Sequence, residues 1–291
     1  MRGVGEATAA ISIVNALPTG VGAAAGIDLR VRAEVILKAG PPDPPRTVDY
    51  VPSTAASPLA RGALAAAVER YAGERLRPTR LSIDSAIPVS AGLKSSSAVA
   101  SAIVGAVAEA AGAHPNAEEI ARLSAEVGRS TGVSATGAFD DALAGLERGV
   151  VLTDNRGDRV LRRIPLDPGL GVALWVPPGS HPPAPLTRSR FSADDPGARS
   201  CVRAVTDGRL WEAMELNSNV VEVAMGYDYR ALRAELRSRG AIASGVSGLG
   251  PTVAAVGLEE KLSDIVGAFD RLPGTHRTVR FSTPEARSTA P

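Results

Sequence analysis

One stretch concentrates groups able to do chemistry: Pro88-Val-Ser-Ala-Gly-Leu-Lys-Ser-Ser-Ser-Ala98. Gly92 permits a sharp backbone bend. Ser95, Ser96 and Ser97 follow where an alanine-rich helix begins. A helix N-terminus carries unpaired N–H groups and partial positive charge, so the stretch is a candidate cradle for a polyphosphate. Lys94 adds a point charge, and a serine hydroxyl suits a magnesium ion. The spacing is not that of a Walker A loop, because no second glycine precedes Lys94. Read alone, the serines could instead cap the helix with no ligand. One serine suffices for a cap, so three favour the cradle.

The second group is an acid pair, Asp140 and Asp141, in Thr136-Gly-Ala-Phe-Asp-Asp-Ala142. Adjacent carboxylates raise each other's pKa unless a cation offsets them. Asp140 is the candidate to orient or deprotonate an acceptor hydroxyl; a plain helix cap ahead of Ala142 is the alternative. Arg188, Arg190 and Arg129 are candidate partners for an acceptor carboxylate, or ordinary surface arginines. Asn15, Asp28, Asp141 and Asn217 are candidates for binding an acceptor. Asp28 lies beside a strand, where a buried charge would need a reason.

Composition narrows the class. Aromatics make up only 3% of the 291 residues against 44% hydrophobic, so Ala, Val, Leu and Ile must fill the core. The net charge is +1, which points to neither nucleic acid nor an anionic membrane. A single cysteine, Cys201, forbids an internal disulfide or a thiolate metal cluster and reads as a quiet core thiol. His114, His181 and His276 are scattered, without the pairing of a zinc hydrolase. No apolar run reaches the roughly 18 residues that span a bilayer. No signal-peptide pattern opens the chain. A soluble, cytoplasmic monomer or homodimer is expected.

Elements must position these groups. Strands are expected at 9–14, 29–37, 81–83, 149–153, 171–176, 252–256 and 278–281, with a Gly/Ala loop at 18–26 and a Pro-rich turn at 41–45. Helices are expected from Pro58, capped by Ser57 and closed by Gly73, and over 97–111 and 117–127. Asn116 and Glu119 form a capping box for the last of these. Further helices are expected over 198–206, 210–225, 229–239 and 259–269. Arg159, Arg162 and Arg163 read as a solvated strand edge, and the tail after Phe281 as disordered. The irregular order indicates α+β. A Pro/Gly/His loop at 177–185 suggests a division into 1–176 and 177–291.

Taken together, Pro88–Ala98, the acid segment and Ser244-Gly-Val-Ser-Gly-Leu-Gly-Pro-Thr252 resemble the three motifs of the GHMP kinases. Five segments in order resemble the archaeal shikimate kinases: Ile13–Gly20, Gly26–Leu29, Leu93–Ala98, Thr136–Asp141 and Gly240–Gly245. The resemblance implies a ribosomal protein S5 domain 2-like N-terminal half and a ferredoxin-like C-terminal half. It implies ATP contact by Pro88, Ser90, Ala91, Gly92, Leu93, Lys94, Ser95, Ser96, Ser97, Ala98, Gly248 and Gly250. It also implies Mg2+ near Ser96 and, more loosely, Glu126, with catalysis by Asp140. The implied reaction is phosphorylation of shikimate at its 3-hydroxyl, a step toward chorismate and the aromatic amino acids. Lys94 stands where most GHMP kinases carry glycine. Val21 stands where archaeal shikimate kinases carry lysine, and their Asp-Gly-Ala ending is missing near the C-terminus. These departures keep other acceptors open: a related cyclitol, homoserine, mevalonate or pantoate. A non-catalytic metabolite sensor is the contrasting reading.

Overall fold

The computed structural model describes residues 1–40, 48–179, 190–192 and 194–282. The Pro-rich turn, His181, Arg188 and the tail beyond Ser282 lie outside them. The fold is α+β, built on two antiparallel-dominated sheets.

The first sheet is organised by one long strand. β2 (Val21–Ala39) pairs from Ala23 to Ile36 with β1 (Arg2–Val14). On its other side it pairs with β4 (Leu76–Ser85) and, nearer its start, β5 (Val150–Asp154). β3 (Asp49–Val51) adds a parallel edge beside β4, and β6 (Arg159–Ile164) closes the far edge beside β5. β6 carries Arg159, Arg162 and Arg163, the expected solvated strand edge.

The expected loop at 18–26 is instead, from Val21 onward, part of β2. Its residues are small because a helix lies on them, not because they turn. A Cβ on Gly26 would fall 2.3 Å from the Ala144 carbonyl oxygen. Alternation then places Leu29, Val31 and Ala33 inside, with Asp28, Arg30 and Arg32 outside.

Helix α2 (Ser95–Ala110) lies across β1 and β2 at very short range. A Cβ on Gly3 or Gly5 would fall 2.1 or 2.0 Å from the carbonyl oxygens of Ala106 and Ala102. Alanines on the helix and glycines on the strand thus replace the missing aromatics, and close packing fixes where α2 begins. α1 (Pro58–Ala67) and α3 (Ala117–Ser130) flank it. Ser57 accepts from Ala60 N, and Asn116 with Glu119 completes the capping box. The α1 segment continues through a π turn at Val68–Ala72 to Gly73, in the left-handed region at φ 59°.

The second sheet runs β10-β7-β9-β8, from β7 (Leu170–Val176), β8 (Ala243–Val246), β9 (Val253–Leu258) and β10 (Thr275–Arg280). In chain order that is 4-1-3-2, the ferredoxin-like arrangement. α5 (Pro196–Thr206), α6 (Leu210–Met225) and α7 (Arg230–Ser238) connect β7 to β8. α8 (Leu262–Val266), with 3-10 turns on either side, takes the place of the single helix expected over 259–269. The change of sheet falls between Ile164 and Leu170, ahead of the division at 176/177 that the Pro-rich loop suggested, because β7 pairs with β9 and β10. α6 packs on both β8 and β1, so the two sheets share one interior. Among the described residues no helix is long and apolar enough to cross a membrane.

Candidate active site

The loop before α2 is held open by its neighbours. Gly92 has φ 79°, and a Cβ there would fall 2.2 Å from the Ser247 carbonyl oxygen. The third glycine segment therefore lies directly on the loop. Ser247 Oγ donates to Gly92 O at 2.9 Å, and Gly248 N donates to Ser12 Oγ at 3.1 Å. β1, the loop and the third glycine segment are thereby stitched together.

Lys94, at φ 65°, is the cap residue of α2, and no side chain caps the helix. The serines are inside the helix and do not close it. Its first N–H groups face the site without a side-chain acceptor, the arrangement an anion would complete. This removes the plain serine cap as an account of the segment.

The acid pair arrives on α4 (Phe139–Ala144). Phe139 is fully buried, with the Arg122 guanidinium 5.8 Å from its ring centre, and burying such a ring contributes about 2–3 kcal/mol. That anchor fixes the direction of the next two residues. Asp140 is 4% exposed and caps nothing: the cap residue is Ala138, and it makes no side-chain cap bond. Gly22 lies under its carboxylate, where a Cβ would come within 2.2 Å of Oδ2. Asn155 Nδ2 donates to Asp140 Oδ1 at 2.6 Å. Burial, reinforced by the negative charge of Asp141, raises the Asp140 carboxyl to about 7, while Lys94 and Asn155 pull the other way. Lys94 Nζ lies 2.9 Å from Asp141 Oδ1, with both side chains largely buried. A cation that offsets the acid pair is therefore present in Lys94, supplied by the phosphate-loop segment itself.

Loop and acids line one cavity of about 500 Å3. Of the anticipated residues it brings together Asn15, Pro88, Ser90, Ala91, Gly92, Leu93, Lys94, Ser95, Ser96, Ser97, Asp140, Asp141, Gly248 and Gly250. Arg190 is on its wall as well. Ala98 is buried beneath it and is not on the surface. Asp28 is placed elsewhere: it points outward from β2 and pairs with Arg30 at 2.9 Å. Glu126 is likewise excluded, because it faces solvent on α3, whose inner face carries Ala125, Val127 and Gly128. Arg129 is spent on Asp158 at 2.6 Å. Asn217 is buried on α6, where its Oδ1 accepts from Asn15 N at 2.8 Å, and it does not reach the cavity wall. Asn15 reaches the wall, but its amide is engaged with Gly248 O and Leu17 N. Arg188 lies outside the described residues.

Sequence reasoning missed Val89 and Val133, both exposed on the cavity wall, and Tyr227, whose hydroxyl donates to Leu249 O at 3.1 Å. It also missed Asn155. An apolar residue in a polar loop, such as Val89, was the available signal; Asn155 offered none.

Residues 58–149 match the GHMP kinases N terminal domain. The fold agrees with that of the mevalonate kinase of Methanococcus jannaschii, at a TM-score of 0.72 with 97% of this chain and 99% of that one covered and 13% identity. A homoserine kinase from Cytophaga hutchinsonii superposes at 0.67, with 97% and 96% covered and 17% identity. The fold is that of a GHMP kinase, and the matched segment contains both the loop before α2 and the acid pair. The relatives narrow this. The shikimate kinase of Thermococcus kodakarensis is 36% identical over 86% of this chain and 90% of that protein. Those of Pyrococcus furiosus and Halobacterium salinarum are 34% and 32% identical, over 92% and 99% of this chain and 97% and 100% of theirs. The chain belongs to this shikimate kinase family, whose members are ATP-dependent small-molecule kinases.

Proposed function

We propose that the protein transfers the terminal phosphoryl group of ATP to the 3-hydroxyl of shikimate. The observation that carries this reading is the shared cavity: an uncapped helix N-terminus and a buried acid face one space, linked by the Lys94–Asp141 ion pair. Phosphoryl transfer needs alignment and charge neutralisation more than covalent help. In this reading the N–H groups of Ser95, Ser96 and Ser97 hold the phosphates. Lys94 neutralises charge between them and the acid pair. Asp140 takes the hydroxyl proton, a role suited to a carboxyl that titrates near 7.

The described residues contain no cluster of three or more His, Cys, Asp or Glu able to cage a metal. Mg2+ fits such a site, because it takes most of its ligands from phosphates and water. Ser96, exposed on the cavity wall, is the residue that would hold it, and the ion would supply charge neutralisation.

Arg190 supports an acceptor bearing a carboxylate. It lines the cavity and pairs with no acid among the described residues, whereas Lys94 is already committed to Asp141. A guanidinium is the natural bidentate partner of a carboxylate. A cytoplasmic setting, with its supply of ATP, suits this activity.

The test is a coupled ADP-release assay over an acceptor panel headed by shikimate and including a cyclitol, homoserine, mevalonate and pantoate. Shikimate should give the highest kcat/KM, and Arg190→Ala should raise the shikimate KM about tenfold or more with the ATP KM unchanged. Turnover of a carboxylate-free cyclitol with none of shikimate would reject the acceptor assignment.

A further inference from the structure

Asn155 follows β5 and is buried, 3% exposed. Its side chain bonds in both directions. Nδ2 donates to Asp140 Oδ1 at 2.6 Å, and Oδ1 accepts from Thr153 Oγ1 at 2.6 Å and from Asp140 N at 3.2 Å. Its own N–H donates to Gly20 O at 2.8 Å. One residue therefore ties β5 and the turn into β2 to both the backbone and the carboxylate of Asp140.

The orientation of this amide is determined. A backbone N–H can only donate, so the carbamoyl oxygen must face Asp140 N. Thr153, fully buried, donates to the same oxygen. The NH2 group is then forced toward Asp140 Oδ1. The charged groups facing Asp140 are Asp141 from its own helix and Lys94 from the head of α2. β2 presents Gly22 to the carboxylate, and Thr153 of β5 reaches it through Asn155. The Asp141 backbone N–H also bonds the carboxylate, and Lys94 is paired with Asp141, so the side-chain bond that holds Asp140 comes from Asn155.

We infer that Asn155, locked by Thr153, is a positioning residue that aims the Asp140 carboxylate at the acceptor hydroxyl. The inference rests on Asp140 being the base. Loss of Thr153 removes the shorter of the two bonds to Asn155 Oδ1, leaving the amide held by the 3.2 Å bond from Asp140 N and its own bond to the carboxylate, which loosens the aim of that carboxylate. A misplacement of about 1 Å costs about 100-fold in rate.

Steady-state kinetics with ATP and shikimate on Thr153→Val, Thr153→Ser, Asn155→Ala and Asp140→Asn tests this. Valine matches threonine in shape, so Thr153→Val keeps the test valid if Asn155→Ala fails to fold. We expect Thr153→Val to lose kcat by about 10-fold or more while the ATP KM stays within about twofold, and Thr153→Ser to restore it. Asp140→Asn losing turnover while Thr153→Val keeps it would overturn the positioning role alone. Equal losses in the Val and Ser variants would do the same. Retained turnover in Asp140→Asn would remove both this inference and the base assignment.

Discussion

Replacing Asp140 with Asn should make the protein more stable and, at the same time, inactive. The Asp140 carboxyl is raised from 3.8 to about 7, chiefly by burial. The native state therefore holds this proton more tightly than the unfolded chain does. The contribution of this carboxyl is nil below about pH 4, becomes destabilising as pH rises from about 4 to 7, and stays constant above that. At about 1.4 kcal/mol per pH unit, the gap corresponds to about 4 kcal/mol at pH 8. The substituted amide would keep the shape and the carbonyl that accepts from Asn155 Nδ2 but carry no charge. At about 2 °C per kcal/mol for a chain of this size, Asp140→Asn should melt about 5–10 °C above wild type at pH 8. The difference should vanish near pH 4. Differential scanning fluorimetry across pH 4–8 without ligands reads both quantities. Equal melting temperatures at pH 8, or a difference independent of pH, would refute the claim that a costly buried carboxylate sits in this site.

Three further outcomes follow from the packing. Gly22→Ala puts a methyl 2.2 Å from Asp140 Oδ2, so kcat should fall about 100-fold with ATP affinity, read by calorimetry, nearly unchanged. Gly92→Ala combines φ 79° with a methyl 2.2 Å from the Ser247 carbonyl oxygen; it should cost about 1–3 kcal/mol in a urea melt and weaken ATP binding. Cys201 is buried, and burial raises its thiol to about 11. It should resist alkylation at pH 8 until the chain unfolds, and rapid labelling of the native protein would contradict its placement.

Local signals revealed much of this molecule. The cap of α1, the capping box of α3 and the full extent of α6 follow from residue types a few positions apart, as does the bend at Gly92. The errors came where packing between distant segments decided. Gly22 to Gly26 resembles a loop because its residues are small, yet they are small so that α4 can lie on β2. Period-two alternation along β2 already placed Asp28 with Arg30 and Arg32 on the outer face. The helical phase of α3 likewise placed Glu126 opposite Ala125 and Val127. Both placements are legible in the residue spacing. The roles proposed for Arg190 and Asn155 depend on chain segments far apart in sequence meeting: the sequence offered Arg190 beside Arg188 and Arg129 with nothing to choose among them, and it gave no signal for Asn155.

The central claim is that the uncapped start of α2 and Asp140 act on one phosphoryl group. Single-turnover transfer from γ-labelled ATP to shikimate, resolved by quench flow, tests it most directly. Wild type should place the label in a phosphomonoester of shikimate. Asp140→Asn should bind ATP equally well and transfer almost none. Label appearing only as inorganic phosphate, or transfer by Asp140→Asn at the wild-type rate, would contradict the account.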